Sequence, residues 1–506
     1  MDLTPAARLI FRKKVEDVAS WKGREKQVQA DMLETLLRKA MHTEFGKKNG
    51  FEELLQRTLT DQLPDFYRRH VPLREYEDFR QDVMRMIEGE KDILWPGMCH
   101  NFAQSSGTTG GRSKYIPVTG EALRKNHYKG ASYSVALYLN SNPQSRMFAG
   151  KGLVLGGSFA NNLIKVRKGT SIGDLSATLI QRIYPLANMF RVPDKHTALL
   201  EDWEVKLPLL ARKAAEADIT NISGVPSWMM RVILKVLEIK QASSLKEVWP
   251  NLEVFFHGGI SFEPYREEYK ALCKGLDMHW SEVYNASEGY FAVSDNSGEK
   301  GMILLVDAGV YYEFLPLGSS DTLTIEEVTP GKIYELVISA VNGLWRYRTG
   351  DTVRVESLDP MRITVAGRTK SFINAFGEEL MEDNAERALA EACRLAECSI
   401  HNYTVAPIYA HGEDRGRHQW IIEWKKKPLN VEEFAEILDR NLRLLNSDYD
   451  AKRSHDIFLD GPEVVSVDHG TFDRWLAGNG SGKLGGQRKV PRLSNNRDIA
   501  DKLIKS

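Results

Sequence analysis

Apolar residues recur at helical spacing through the first sixty positions, at Val15, Val18, Ala19 and Trp21 and again at Met32, Leu33, Leu36, Leu37 and Ala40, with charged residues between them. A three-to-four-residue repeat predicts amphipathic helices over 5–60, packed on the flank of a core. From Met147 the pattern changes. Gly152–Phe159 is a strand-like apolar run followed by polar turn residues, and helical spacing returns over 197–217. Asp218–Pro226 then predicts a short strand that leaves into a helix beginning around Ser227 and Trp228. Leu252–Phe256 is an uninterrupted apolar run, a buried strand ending on His257-Gly258-Gly259. Strands alternating with helices predict an α/β sheet, in which ligands gather at the carboxyl ends of the strands. Over 302–365 short β-runs such as Lys332–Ile338 are separated by turns, which predicts a mostly β block.

Composition narrows the partners more than the fold. A chain of 506 residues has room for about three ordinary domains, or one large and one small. Its 68 basic and 69 acidic residues are interleaved and leave a formal charge of -1, so no nucleic-acid partner is expected. No window approaches the eighteen or so apolar residues of a membrane span, and Met1–Lys14 lacks the apolar core of a secretory signal. Cys99, Cys273, Cys393 and Cys398 form no Cys-x-x-Cys pair, which fits buried thiols in a reducing compartment. A cytoplasmic protein is the expectation.

Ser105-Ser106-Gly107-Thr108-Thr109-Gly110-Gly111-Arg112-Ser113-Lys114 carries the strongest chemical signal. Glycines let the backbone turn its N–H groups inward as an anion cradle, hydroxyls add donors, and Lys114 adds a full charge. The order departs from the Walker pattern: Ser113 precedes the lysine and Tyr115 follows it. A plain surface loop has similar composition. Four later segments are each weak alone. His257-Gly258-Gly259-Ile260 lets a flat ring or a phosphate approach the backbone, or is a tight turn. Tyr284-Asn285-Ala286-Ser287-Glu288-Gly289 sets one acid among small residues, a ligand for Mg²⁺ beside a nucleotide or a solvated glutamate. Arg346-Tyr347-Arg348-Thr349-Gly350-Asp351 places an aspartate on a turn before the strand Thr352–Val355, suited to accept two ribose hydroxyls or to pair with an arginine in a hairpin. Gly367-Arg368-Thr369-Lys370, followed by Asn374–Leu380, reads as a strand, a loop and a helix start. Gly478–Gly486 holds five glycines in nine residues, but Ala477 and Leu484 stand where a Walker loop needs glycine and a hydroxyl, so Lys483 reads as a solvated lysine.

Taken in order, these segments resemble the adenylate-forming superfamily of acyl-CoA synthetases, peptide-synthetase adenylation domains and luciferases. The resemblance is closer to the Gretchen Hagen family of acyl acid amido synthetases. It is carried by Thr43-Glu44-Phe45-Gly46, Val71–Asp78, Ser105–Lys114 with Ile116-Pro117-Val118-Thr119, Ser223–Trp228, Ser287–Phe291 and Gln487–Arg492, and so spans almost the whole chain. It implies an α/β fold: a large N-terminal adenylation domain over 1–368, with helix-flanked sheets and a β-rich subdomain, and a smaller mobile α+β domain over 369–506.

The resemblance also implies roles. Ser105, Ser106, Gly107, Thr108, Thr109 and Lys114 would hold the β- and γ-phosphates of ATP. Gly258 and Gly259 would border the adenine, with Ser287 beside the nucleotide. Glu288 would bind Mg²⁺ and act in catalysis, and Asp351 would hold the ribose. Arg368 would lie near the nucleotide, Lys370 would be the hinge, and Lys489 would be the mobile-domain lysine near the reacting carboxylate and α-phosphate. The implied reaction joins a small carboxylic acid to an amine, expected to be an amino acid, through an acyl-adenylate. A thioester-forming acyl-CoA ligase, or a non-catalytic nucleotide-binding protein on the same fold, stands as the alternative. No general base is identified; His100, His257 and His279 are candidates. Leu155–Phe159 and Val225–Met230 are candidate walls of the acyl pocket.

Overall fold

The computed structural model describes the chain except residues 1, 106–112, 160–165, 261, 263–264, 296, 369–371, 379, 410–414, 455–458, 479–489 and 506. It divides into two compact units. The first comprises Met1–Ser105, Lys114–Gly259 and Lys270–Thr369; the second comprises Lys370–Ser506 with Ser106–Ser113 and Ile260–Tyr269.

The first unit opens with helices Thr4–Trp21 and Glu25–Ala40, as the spacing predicts. Val18, Trp21, Leu33, Leu36, Leu37 and Ala40 are buried, whereas Ala19 is exposed. These helices do more than flank the core, because their apolar stripe belongs to the same cluster as the strand residues Phe291, Tyr312, Leu336 and Val353. Gln29, 2% exposed, crosses that contact. Its amide donates to the carbonyls of Val306 (2.6 Å) and Val310 (2.9 Å) and accepts from the Tyr312 amide (2.7 Å), completing backbone bonding that would otherwise be lost on burial.

Among the described residues, fourteen strands follow within this unit. In chain order they are β1 (Asn101–Ser105), β2 (Lys114–Pro117), β3 (Lys151–Val154), β4 (Ser171–Gly173), β5 (Arg191–Val192), β6 (Ile219–Gly224), β7 (Val254–His257), β8 (His279–Ala286), β9 (Gly289–Val293), β10 (Met302–Leu304), β11 (Val310–Pro316), β12 (Ile333–Ala340), β13 (Tyr347–Leu358) and β14 (Met361–Arg368). A small sheet has the order β2-β1-β4, and an eleven-stranded sheet runs β11-β12-β13-β14-β10-β9-β8-β7-β6-β3-β5. From β8 to β5 the pairing is parallel, and from β9 onward it is antiparallel. The parallel half is the α/β text of the sequence, with β6 leaving into the helix Pro226–Lys240; the antiparallel half is the β block. β8 is where the two meet. The carboxyl ends of β6, β7 and β8 therefore lie side by side, which is where an open parallel sheet binds ligands.

The second unit has its own core around Phe376, Leu389, Trp420, Leu438 and Tyr449. Strands β15 (Phe372–Ile373) and β16 (Leu380–Met381) form a hairpin before the helix Glu382–Leu395, and β17 (Ser399–Ile408), β18 (Arg417–Lys426) and β19 (Glu463–Val467) form a three-stranded sheet. Buried Glu378 accepts the amides of Ala375 (3.2 Å) and Phe376 (2.7 Å) and pairs with His418 Nε2 (2.7 Å), fixing the hairpin on the core. Among the described residues, no helix is long and apolar enough to cross a membrane.

Candidate functional site

Ser105 ends β1 directly opposite Lys114, the first residue of β2. Ser106, Gly107, Thr108 and Thr109, which join them, lie outside the described residues, as do Lys370 and Lys489. Lys114 is only 5% exposed. Its ammonium donates to the Tyr347 hydroxyl (3.1 Å) and lies 5.8 Å and 6.0 Å from the ring centres of Tyr347 and Tyr76. Aromatic faces compensate part of the desolvation of a buried cation. Tyr76 is itself fixed, its hydroxyl accepting the Tyr115 amide at 2.6 Å.

The carboxyl ends of β7 and β8 supply the next residues. Gly258 follows β7, and a Cβ there would stand 2.2 Å from the Val283 carbonyl oxygen, so no larger residue fits without parting the two strands. Gly259 has φ +86°, a left-handed conformation that suits glycine. β8 ends at Ala286, and Ser287 and Glu288, both half-buried, form the turn into β9. That turn is pinned from two sides. Asn342 donates to the Glu288 carbonyl (2.8 Å), while Asn126 accepts the Tyr290 amide (2.7 Å) and donates to the Tyr290 and Ala308 carbonyls.

Glu288 and Asp351 each receive a phenol. Tyr347 donates to Glu288 Oε1 (3.3 Å) and Tyr284 donates to Asp351 Oδ2 (2.6 Å). The two bonds are reciprocal: the β8 segment gives a tyrosine and a glutamate four residues later, and β13 gives a tyrosine and an aspartate four residues later. Since β14, β10 and β9 separate β13 from β8 in the sheet, the sheet curls strongly enough for the strands to meet side chain to side chain. Lys114, Glu288 and Asp351 are thereby brought to one place.

The setting of Asp351 differs from the turn read in the sequence. β13 begins already at Tyr347, and Asp351 lies within it, opposite Arg368. Arg348 pairs with Val337 and Thr352 with Glu335, so Thr349–Asp351 bulge against Leu336 alone. Gly350 takes the bend with φ +80°, and the Thr349 hydroxyl repairs the ladder by donating to the Leu336 carbonyl (2.8 Å) and accepting the Asp351 amide (3.1 Å). Arg348 pairs with Glu335 (2.6 Å) and Arg346 with Glu313 (2.8 Å). Arg368 ends β14 across from Asp351; its side chain lies outside the described residues.

Of the candidate bases, His100 is exposed, His257 packs on Phe255 (5.4 Å between ring centres) and His279 on Tyr138 (5.6 Å). Of the candidate acyl-pocket walls, Met229 and Met230 are buried core, and the Gly156 and Gly157 carbonyls accept the ammonium of buried Lys206 at 2.6 and 3.2 Å. Burial pulls the Lys206 ammonium down to about 8. Among the described residues, no group of three or more histidine, cysteine or acidic side chains is placed to hold a metal by itself. A single half-buried carboxylate, Glu288, fits Mg²⁺, which keeps most of its waters and takes substrate phosphates as ligands.

Three family descriptions match the chain in order: the GH3 family N-terminal domain over residues 14–278, the central domain over 303–368 and the C-terminal domain over 383–498. The chain belongs to the GH3 family. This GH3 chain is 24% identical over 539 aligned residues to a probable indole-3-acetic acid-amido synthetase, GH3.1, of Oryza sativa subsp. japonica, covering 89% of the chain and 84% of the relative. It is 23% identical to a jasmonoyl–L-amino acid synthetase, GH3.5, of the same plant, covering 85% and 86%. Among solved structures it is similar to the acyl acid amido synthetase AtGH3.15 in complex with 2,4-DB, with TM-score 0.60 and 20% identity over 97% of the chain and 95% of that structure. A 2-hydroxyisobutyryl-CoA ligase in complex with 2-HIB-AMP and CoA matches with TM-score 0.56 and 12% identity, over 96% and 93%. The fold is that of adenylate-forming enzymes.

Sequence reasoning passed over Tyr284 and Tyr347 of this GH3 chain, although both stood in quoted segments. The available signal was the repeated spacing, a tyrosine four residues before an acid in both Tyr284-x-x-x-Glu288 and Tyr347-x-x-x-Asp351. It also passed over Arg346 and Glu313, which are far apart in sequence and meet only through β11–β13.

Proposed function

We propose that this GH3 protein is an ATP-dependent ligase that joins a carboxylic acid to an amine, an amino acid being the expected acceptor. The acid's carboxylate attacks the α-phosphorus of ATP, forming an acyl-adenylate as the bond to pyrophosphate breaks. The amine then attacks the acyl carbon, an amide forms and AMP leaves. The observation that carries this reading is the convergence of Lys114, Glu288 and Asp351, on tyrosine supports, at the carboxyl ends of β7 and β8 in a chain matched by all three GH3 domains.

On this reading Lys114, with Ser105 and the hydroxyls of Ser106, Thr108 and Thr109, holds the leaving phosphates. Gly258 and Gly259 admit the adenine, with Ser287 and Arg368 beside the nucleotide, and Asp351 accepts the ribose hydroxyls. Glu288 holds Mg²⁺, which supplies positive charge to the phosphate oxygens. Charge stabilisation of this kind, rather than proton transfer, dominates phosphoryl chemistry. Lys489 brings a further cation to the reacting atoms, and the segment after Arg368, with Lys370 as pivot, turns between the two half-reactions.

The test is pyrophosphate release from the purified full chain with ATP, Mg²⁺ and pooled carboxylic acids, with and without pooled amino acids or CoA, beside Lys489→Ala. Acid-dependent release that amino acids stimulate and Lys489→Ala loses is the expected result. Stimulation by CoA alone would make the chain a thioester-forming ligase, and ATP binding without release would make it a binding protein.

A further inference from the structure

A cavity of about 460 Å³ opens beside the start of β1, lined in part by His100, Asn101, Arg124, Tyr128, Arg182 and Tyr184. Asn101 opens β1 and Ser105, opposite Lys114, closes it. At about 3.3 Å per residue the cavity therefore lies roughly 13 Å along the hairpin from Lys114. Among the described residues no carboxylate lines it, whereas two guanidiniums do, and neither of these is in an ion pair.

Local structure turns these groups toward the cavity. Ala122–His127 is a π-helix, closed by the Tyr128 amide on the Leu123 carbonyl five residues back; such turns are rare and recur at functional sites. Gly120, Arg124 and Tyr128 follow at four-residue intervals and all reach the cavity. A Cβ at position 120 would stand 3.2 Å from Arg124 Nη1, so the glycine leaves the guanidinium room to fold back along the helix. The Tyr128 ring is fixed by its hydroxyl, which donates to the Leu179 carbonyl (3.0 Å), and the Tyr184 ring stands 5.8 Å away, with that residue 58% exposed. Asn101 is 6% exposed, and its Oδ1 has no partner among the described residues. A buried polar atom in that state marks a place for a ligand or a water.

We propose that this cavity takes the acid substrate and that the acid is a dicarboxylic one. This rests on the reading of the chain as an acid-activating ligase. The reacting carboxylate has to reach the α-phosphorus, and a carboxylate gripped by arginine cannot also do so. Arg124 and Arg182 therefore hold a second carboxylate, whose two oxygens match the planar fork of a guanidinium, and the tyrosine rings flank the frame between the two acids. One oxygen of the ungripped carboxylate bonds to phosphorus as the bond to pyrophosphate breaks. The gripped carboxylate leaves the reaction unchanged.

The experiment is calorimetric titration of the full chain with two series, benzoate against phthalate, isophthalate and terephthalate, and butyrate against succinate, glutarate and adipate. Arg124→Met and Arg182→Met are titrated beside it, with thermal melts to establish folding. At least one dicarboxylate is expected to bind about tenfold or more tightly than the monocarboxylate of its series, the scale of a charge-assisted hydrogen bond. Each variant should narrow that preference to less than about threefold while leaving the monocarboxylate nearly unchanged. Dicarboxylates bound no better than monocarboxylates in both series, or a preference that survives both substitutions, overturn the inference. Should a variant not fold, the wild-type series decides. Pyrophosphate release with ATP and Mg²⁺ separates this from the ligase reading. Release driven by the preferred dicarboxylate supports both. Preferred binding without release from any acid overturns the ligase reading, and with it the acid's role as substrate. Release driven by monocarboxylates alone, undiminished in both variants, overturns the cavity inference and leaves the ligase reading standing.

Discussion

Arg346→Met probes the support under β13. The guanidinium is 5% exposed and its partner carboxylate on Glu313 is 1% exposed. It donates to both Glu313 oxygens (2.8–3.1 Å), to the Thr322 hydroxyl (2.8 Å) and to the carbonyls of Arg68 and Val71. Removing the cation alone strands a buried carboxylate that, among the described residues, keeps the Thr322 hydroxyl (2.6 Å) as its remaining side-chain donor, and breaking one side of such a pair costs about 3–5 kcal/mol. Arg346 has φ +45°; methionine is no better suited to that conformation, so backbone strain cancels in the comparison. Adding Glu313→Gln removes the stranded charge, leaving mainly the two unpaired carbonyls at about 1 kcal/mol each. The double variant should therefore recover about half of the loss. Equilibrium urea unfolding by tryptophan fluorescence measures both, with Trp345 beside the substitution. A loss in the single variant of under about 1 kcal/mol, as for a surface ion pair, or a double variant no better than the single, would refute the reasoning.

Gly258→Ala should part β7 from β8, because the new Cβ would meet the Val283 carbonyl at 2.2 Å; a loss of about 1–3 kcal/mol together with weakened ATP binding is expected, and an unchanged melt and affinity would show that the contact is not tight. Tyr284→Phe removes the 2.6 Å bond to Asp351, and hydrogen bonds to charged groups are worth about 1.5–3 kcal/mol. ATP affinity should fall about tenfold while the preference for ATP over 2′-deoxy-ATP narrows; an unaltered preference would detach Asp351 from the ribose. Burial holds the His127 imidazole down at about 4, opposed by its hydrogen bond with Asn285. The unfolded chain thus binds the proton first as pH falls, so this group's stability is full above about 6.5 and is lost by about pH 4, about 3 kcal/mol in all. Wild type minus His127→Gln in urea unfolding at pH 7, 5 and 4 isolates that slope, and parallel losses would show that His127 stays neutral for no such reason.

How far the sequence could be read depended on the range of the interactions. In the parallel half β7 was legible because Leu252–Phe256 is a short apolar run bounded by turn residues, and the burial of Leu33, Leu36 and Leu37 follows from spacing alone. The placing of Asp351 was misread because Gly350 usually signals a turn, and only the partner strand reveals that Thr349–Asp351 form a bulge within β13. Ala19 fell on the apolar count but faces outward, since one small residue does not set the face of a helix that Val18 and Trp21 already orient. Arg346 with Glu313, and Gln29 with Val306 and Val310, were out of reach for a different reason. Their polarity reads as surface, and burial became possible only where distant strands supplied partners.

The carboxylate of Glu288 has a consequence for ligand binding. It accepts from the Tyr347 hydroxyl that also takes the Lys114 ammonium, so on the proposed reading it brings a negative charge to the place where a triphosphate arrives. Two unit charges 6 Å apart at an effective dielectric constant near 20 repel by about 3 kcal/mol, less where water screens them. On the proposed reading Glu288 would hold Mg²⁺, whose positive charge would offset that repulsion of the phosphates. Glu288→Gln should therefore cross over: about tenfold tighter binding than wild type for ATP in EDTA, where a repelling charge is gone, and weaker binding for Mg·ATP, where a metal ligand is gone. Calorimetry of the two proteins under the two conditions reads this directly. Weakening in both would mean that the carboxylate supports the turn rather than facing the metal, because loss of packing has no reason to change sign with the cation.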